Sequence, residues 1–226
     1  MDKPKHNAIR RWFCRTTLCV YVLSTLPLLT LFLWNRTCQN TFLNLSAHYR
    51  SRIFPLTTVH IGDSFTARGG GYWSTYIGGL PLDAYNLAGN GYTVEQIKHQ
   101  VAKALAYSPA CICVMGGTND LYDQRYDVDY TIAAYRDLLK EIKNADVFCI
   151  VTLIPYQNSN QKQLQIDELN RRITAIAEEH DCAVIDLNPI LAPDGILLSK
   201  YTTDGTHLTY AAYYVWGSEI KRHLRR

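Results

Sequence analysis

Four short polar segments of this chain carry residue types that serine hydrolases use. In chain order they are Gly62-Asp63-Ser64-Phe65, Gly91 with Thr93, Gly116-Gly117-Thr118-Asn119-Asp120, and Asp204-Gly205-Thr206-His207. A serine hydroxyl is a poor nucleophile until a neighbouring imidazole accepts its proton, and the developing oxyanion needs hydrogen-bond donors. Because the segments supply a nucleophile, a base with a nearby carboxylate, and donors, they predict ester cleavage by acyl transfer.

Each of the first three segments follows a short apolar run that is typical of a buried strand. The runs span residues 56–61 before the serine, 84–88 before the glycine and 110–115 before the asparagine, and their apolar or β-branched composition favours strands. Ligands of open α/β sheets bind outside the carboxyl ends of the strands. We therefore expect the three segments to meet in one crevice.

The rest of the chain repeats this alternation of strand and helix. Further strands are predicted at 147–151 and 183–186, and helical patterns lie at 94–106, 130–144, 164–179 and 210–222. Strands that alternate with helices indicate a parallel sheet covered on both faces. The expected fold class is α/β, a three-layer α/β/α sandwich with five parallel strands.

Taken together, the four segments resemble the SGNH (GDSL-type) hydrolase family, whose members draw a serine, a glycine, an asparagine and a histidine from separated blocks. The resemblance runs from residue 56 to the C-terminus and implies a flavodoxin-like sheet. It implies that Ser64 is the nucleophile and also an oxyanion donor through its backbone N–H. By the same likeness Gly91 and Asn119 complete the oxyanion hole, His207 is the general base, and Asp204 orients it.

The second block leaves two glycines open as the donor. Residues 86–93 fit the family pattern with Gly91 in that place, and Gly89 is the alternative. Thr93 and Gln96 predict a capping box, so Gly91 precedes a helix entry where backbone N–H groups are exposed. The chain departs mildly from the family after the histidine, where members often have a glycine before an aromatic residue and Ala212 and Tyr213 occupy those places. We expect no effect of this change on the chemistry.

The N-terminal part of the chain predicts a membrane anchor. Residues 16–35 contain no charged side chain, and about 20 helical residues at about 1.5 Å each span a hydrocarbon core of about 30 Å. A cleaved signal peptide is the alternative, but no small-x-small cleavage site follows. Residues 1–15 are basic, which favours a cytoplasmic N-terminus and an extracytoplasmic catalytic domain. Residues 36–52 are assigned to a tether and 53–226 to the hydrolase domain.

Charge and cysteine usage limit the partners. Residues 1–52 hold eight Lys/Arg and one Asp, a net charge of +7, whereas the whole chain has a net charge of +3. Residues 53–226 therefore carry a net charge of −4, and they lack the basic surface that nucleic-acid binding requires. Of the seven cysteines, Cys14 and Cys19 flank or enter the predicted membrane helix. Cys111 and Cys113 alternate along one apolar strand and so face the same side of it, and these two, with Cys149 and Cys182, are predicted to be buried free thiols. There is no Cys-x-x-Cys and no His-x-x-x-His, so no metal and no cofactor is expected.

Other polar and aromatic residues near the segments have simpler explanations. Asp63 is expected to stabilise its turn through a backbone hydrogen bond, and His60 is expected to be a core histidine with satisfied hydrogen bonds. Trp73, Tyr76 and Tyr156 either line a substrate groove or only pack.

Two classes of function remain from the sequence. The first is a membrane-anchored esterase that removes a small acyl group, acetyl above all, from envelope or extracellular carbohydrate. Within this class, lysophospholipase or thioesterase activity on lipid is the rival. The second class is a non-catalytic binding module, which has no chemical need for Ser64, Asn119, Asp204 and His207 together. Aromatic and polar loops after the strands favour a carbohydrate substrate, because lipid pockets are mostly apolar. The oligomeric state stays open.

Overall fold

The structure is a computed structural model that describes residues 35–80 and 82–224. The predicted basic segment 1–15 and nearly all of the predicted transmembrane segment 16–35 lie outside the described residues. No helix among those described is long and apolar enough to cross a membrane. The chain divides into two compact units, residues 1–42 and 43–226.

Five parallel strands form a single sheet in the second unit. They are β1 (Thr58–Gly62), β2 (Ala84–Asn86), β3 (Cys111–Met115), β4 (Phe148–Thr152) and β5 (Ala183–Ile185). Their spatial order is β2-β1-β3-β4-β5, which is the flavodoxin-like order and confirms the predicted sheet. The order reverses between β1 and β3, so the crevice for ligands is expected where these two strands end.

Helices connect the strands. The longer ones are α1 (Arg36–Arg50), α7 (Val128–Asn144), α8 (Gln163–Glu179) and α10 (Tyr210–Leu224). The shorter ones are α2 (Ser64–Ala67), α3 (Trp73–Ile77), α4 (Val94–Lys98), α5 (Val101–Leu105), α6 (Thr118–Tyr122) and α9 (Asn188–Leu191).

The helix predicted at 94–106 is divided in two. Between α4 and α5, the backbone N–H of Gln100 donates to the carbonyl of Ile97 at 2.8 Å, three residues back. This tighter turn interrupts the α-helix. It leaves the Gln100 side chain buried at the sheet.

A buried apolar cluster covers each face of the sheet. Val59 and Ile61 belong to the cluster that α4, α5, α7 and α8 complete, whereas Cys111, Cys113 and Met115 belong to the one with α3 and α10. Successive strand residues point to opposite faces. The predicted common side of Cys111 and Cys113 is confirmed, since their Sγ atoms are 4.0 Å apart.

The segment predicted as a tether is mostly helical. It forms α1, which ends at Arg50, and Ala47 in its second half is fully buried. Residues from Leu43 onward belong to the same compact unit as the sheet. This part of α1 is therefore packed as a piece of the domain.

Candidate active site

The nucleophile turn, residues 62–67, carries Ser64 directly after β1. A Cβ on Gly62 would lie 2.4 Å from the carbonyl oxygen of Met115, so only glycine fits where β1 approaches the end of β3. Asp63 begins α2 as its cap, and its Oδ1 accepts the N–H of Phe65 at 3.0 Å. The predicted backbone hydrogen bond of Asp63 is confirmed. Ser64 is left half-buried at the mouth of the crevice.

The histidine loop, residues 204–207, completes a hydrogen-bonded line with the serine. The Nε2 atom of His207 lies 3.1 Å from Ser64 Oγ, and its Nδ1 lies 2.7 Å from Oδ2 of Asp204. The other carboxylate oxygen, Oδ1, accepts the backbone N–H of His207 at 2.7 Å. Hydrogen bonds from the His207 backbone and ring hold the pKa of Asp204 well below its usual range. The carboxylate therefore stays ionised beside the imidazole.

One residue holds the histidine loop and another holds the nucleophile turn. Thr202 Oγ1 donates to the carbonyl of His207 and accepts the N–H of Gly205, both at 2.9 Å. Tyr213, on α10, is buried and donates from its hydroxyl to the carbonyl of Phe65 at 2.6 Å. The residue that follows Ala212 thus contacts the nucleophile turn directly.

The structure distinguishes between the two candidate donor glycines. The N–H of Gly89 already donates to the carbonyl of Gly62 at 3.0 Å. Gly91 is exposed, has a φ of +76°, and a Cβ there would meet nothing within 4 Å. This left-handed backbone favours glycine, and the open space leaves room for a ligand. The engaged N–H of Gly89 and the open space at Gly91 favour Gly91 as the predicted donor.

Asn119 lies at the start of α6, after β3. Its Nδ2 donates to the carbonyl of Tyr92 at 3.0 Å, which joins it to the loop that carries Gly91. An amide NH₂ group has two hydrogens, so one N–H remains for a second acceptor. The side chain is half-buried.

Two buried side chains that link the segments were not singled out from the sequence. Gln100 accepts the N–H of Gly62 and donates to the carbonyl of Leu87, each at 3.0 Å, and so ties the ends of β1 and β2 together. Asp120 accepts the N–H of Val94 at 3.0 Å. The predicted capping box of Thr93 and Gln96 is present. Gln100 lies inside the stretch predicted as one helix, and a polar amide on its sheet-facing side is the signal that could have identified this residue.

His60 and its neighbours pack instead of lining the crevice. His60 is fully buried, its ring is stacked on Trp73 at a centroid distance of 4.2 Å, and burial lowers its pKa to about 3. The core position is confirmed, but Nδ1 has no partner among the described residues, so the expectation of full satisfaction was wrong. Trp73 and Tyr76 are 0% and 5% exposed, so the groove alternative was wrong for both. Tyr156 is half-buried and its hydroxyl is bonded to Asp167.

A serine, an imidazole and a carboxylate in one hydrogen-bonded line at the strand ends of a parallel sheet define a serine hydrolase. Within the described residues no group of three metal-ligating side chains comes together. The family described as GDSL-like lipase/acylhydrolase matches residues 60–215. The chain belongs to this family and is a carboxylic ester hydrolase.

Solved structures share the fold at low sequence identity. A GDSL-like lipase from Bacteroides thetaiotaomicron has a TM-score of 0.67 at 20% identity, covering 81% of this chain and 98% of that chain. A putative acylhydrolase from Bacteroides fragilis has a TM-score of 0.66 at 19% identity, covering 81% and 96%. An acetylxylan esterase from Geobacillus stearothermophilus has a TM-score of 0.60 at 21% identity, covering 74% and 93%. A search of curated proteins finds no matching sequence.

Proposed function

We propose that this chain is a membrane-anchored serine esterase that removes acetyl or a similarly small acyl group from envelope or extracellular carbohydrate. The hydrolytic activity in this proposal rests on one observation, the hydrogen-bonded line of Ser64, His207 and Asp204. Its distances are 3.1 Å from Ser64 Oγ to His207 Nε2 and 2.7 Å from His207 Nδ1 to Asp204 Oδ2. His207 accepts the serine proton as general base, and Asp204 fixes the ring so that Nε2 faces the hydroxyl.

The reaction runs through an acyl-enzyme. The Ser64 oxygen attacks the ester carbonyl while its proton passes to His207, and the tetrahedral oxyanion receives hydrogen bonds from the N–H groups of Ser64 and Gly91 and from the Asn119 amide. The proton then passes from His207 to the leaving alcohol. A water molecule, deprotonated by the same imidazole, attacks the acyl-enzyme and releases the acid.

The surroundings of the oxyanion loop support a polar substrate. A cavity of about 500 Å³ reaches the oxyanion segments only at Thr93 and Asp120, and neither Ser64 nor His207 lines it. Its lining consists of Thr93, Glu95, Gln96, Asp120, Asp123, Arg125, Tyr126, Asp127, Tyr130 and Thr131. Hydroxyl, amide and carboxylate groups beside tyrosine rings suit sugar hydroxyls, whereas acyl-chain pockets are mostly apolar. The fold also serves an acetylxylan esterase, so it accommodates acetyl removal from a polysaccharide.

The anchor and the orientation are part of the proposal. They rest on the uncharged stretch 16–35 and on the five Lys/Arg residues that precede it. In this arrangement the catalytic domain is extracytoplasmic and meets envelope polysaccharide.

A chain-length profile tests the substrate class. For the full-length chain in a non-ester detergent, we expect kcat/KM to fall from p-nitrophenyl acetate to octanoate and palmitate, and we expect acetate release from an acetylated glycan. Ser64→Ala is the blank, and it should lose both turnover and labelling by a fluorophosphonate. A profile that rises toward palmitate, with fatty acid released from lysophospholipid, would replace the glycan proposal with the lipid one. Full labelling of the Ser64→Ala variant would refute the nucleophile assignment instead.

A further inference from the structure

We propose that Asn44, on α1, is a positioning residue for the ester hydrolysis. It closes the open edge of β2 and, through Asn86, holds the nucleophile turn. The proposal rests on the assignment of Ser64 as the nucleophile.

The first contact is a two-point hydrogen bond at the sheet edge. Among the described residues, β2 lies at the end of the sheet and pairs only with β1, and such an edge presents unpaired backbone groups. The Oδ1 of Asn44 accepts the backbone N–H of Asn86, and its Nδ2 donates to the carbonyl of Asn86, both at 2.9 Å. One side-chain amide thus takes the place that a neighbouring strand would fill.

The second contact runs from Asn86 to the nucleophile turn. The Nδ2 of Asn86 lies 3.0 Å from the carbonyl of Thr66, 3.3 Å from that of Ala67 and 3.2 Å from that of Gly70. Thr66 and Ala67 form the last turn of α2, the helix that Ser64 begins. Because Asn44 fixes the backbone of Asn86, it also fixes the direction in which this amide points.

Asn86 contacts the oxyanion loop as well. Its Oδ1 accepts the N–H of Ala88 at 3.0 Å, and Ala88 leads into the loop that contains Gly91. The same side chain therefore orients the nucleophile and one donor relative to each other. Such placement matters because a misplacement of about 1 Å can cost about 10²-fold in rate.

The other contacts of α1 supply a matched control. Arg50 forms an ion pair with Asp83 at 3.0 Å. Asp83 in turn bonds to the backbone of Thr57, just before β1 begins and thus at the amino end of that strand. Neither partner reaches α2. Arg50→Met therefore weakens the docking of α1 without touching the path from Asn44 to Ser64.

The test compares Asn44→Ala with Arg50→Met in the full-length chain, well below the unfolding midpoint of each variant. We expect Asn44→Ala to lower kcat for p-nitrophenyl acetate and the rate of fluorophosphonate labelling by about tenfold, with KM within about twofold. We expect Arg50→Met to lower the unfolding temperature and leave kcat unchanged. If Asn44→Ala does not fold, Asn44→Asp replaces it. This variant keeps the oxygen that accepts the Asn86 N–H and loses the N–H that donates to the Asn86 carbonyl, and its kcat is compared with that of Arg50→Met in the same way.

Two outcomes would overturn the positioning role. One is an unchanged kcat and labelling rate in the Asn44 variant, and the other is an equal loss of kcat in Arg50→Met, which would make α1 only a stabilising element. Labelling that survives Ser64→Ala would overturn the nucleophile assignment, which is a separate failure.

Discussion

The nucleophile turn and the histidine loop each place a carboxylate next to a reacting group, and the two carboxylates stand in opposite surroundings. Asp63, beside Ser64, is fully buried, and burial raises its pKa to about 7. The Asp204 side chain, beside His207, is 45% exposed, and hydrogen bonds from His207 hold its pKa well below its usual range. The comparison teaches that the buried acid serves the backbone of its turn, whereas the exposed acid serves an imidazole.

The same contrast extends to how each region is held. The nucleophile turn is fixed by close packing at Gly62, by the hydrogen bond that Gly62 donates to Gln100, and by the one that Tyr213 donates to Phe65, so that its partners come from distant parts of the chain. The histidine loop is fixed mainly by its own residues and by Thr202. Substitutions in the first region are therefore expected to change stability and rate together, and those in the second to change rate.

Breaking the histidine loop should give the largest effect. His207→Ala removes the general base, and kcat/KM for p-nitrophenyl acetate should fall by about 10⁴-fold or more. Asp204→Asn should cost less than His207→Ala, because the orienting group is more dispensable than the base. A fully active His207→Ala variant would refute the role of the base, and an equal loss in Asp204→Asn would show that the carboxylate does more than orient.

Removing one donor of the predicted oxyanion hole should give the next largest loss of activity. Asn119→Ala removes a side-chain donor, and kcat should fall about 10²- to 10³-fold, the usual effect of losing one such donor. Fluorophosphonate labelling should remain detectable because Ser64 and His207 are intact. Steady-state kinetics on p-nitrophenyl acetate measure the loss. Unchanged turnover would show that the Asn119 amide serves only its bond to Tyr92.

The smallest expected effect is a change in stability that comes from the buried carboxyl group of Asp63. Because the pKa of Asp63 is raised in the folded state to about 7, the folded protein holds a proton that the unfolded chain has released above about pH 4. The free energy of unfolding should therefore fall between pH 4 and 7, by up to about 1.4 kcal/mol per pH unit from this group. Asp63→Asn keeps an oxygen for the Phe65 N–H and stays neutral.

Urea unfolding at pH 5 and pH 8 measures this prediction. Relative to the wild type, Asp63→Asn should be more stable at pH 8 than at pH 5. Asp204→Asn is the matched control, and its difference in stability from the wild type should be the same at pH 5 and pH 8. The pKa of Asp204 is lowered by folding, so the stabilisation that its carboxylate gives is lost only on acidification below about pH 4. A pH-independent difference for Asp63→Asn would show that this carboxyl is ionised in the folded protein.

Local patterns were enough to predict the sheet and the residues of the hydrogen-bonded line. The strands follow apolar runs, and Ser64, Asn119 and His207 sit in segments whose order alone is informative. The hydrogen bonds that hold these residues could not be predicted from the sequence, because the Gln100 side chain bonds to a residue 38 positions away and the Asn44 side chain to one 42 positions away. An amide side chain gives no local sign of such a partner.

The aromatic residues show a second limit. Trp73 follows a glycine-rich loop beside the nucleophile turn, where a ring facing a ligand and a ring facing the core have the same sequence signature. The structure stacks it on His60. What decides that the Trp73 ring faces the core is its stacking partner His60 on β1, 13 residues earlier in the chain.

The two-point hydrogen bond of Asn44 has a consequence for glycosylation. Asn44-Leu45-Ser46 is an acceptor sequence for N-linked glycans in a eukaryotic secretory pathway. A glycan makes the side-chain amide a secondary one, whose trans geometry sets the sugar on the same side as Oδ1. That position is held by the hydrogen that Asn44 donates to the carbonyl of Asn86. A sugar on Asn44 and the closed edge of β2 therefore exclude each other, and a eukaryotic host that modifies the nascent chain would leave the backbone of Asn86 without this amide.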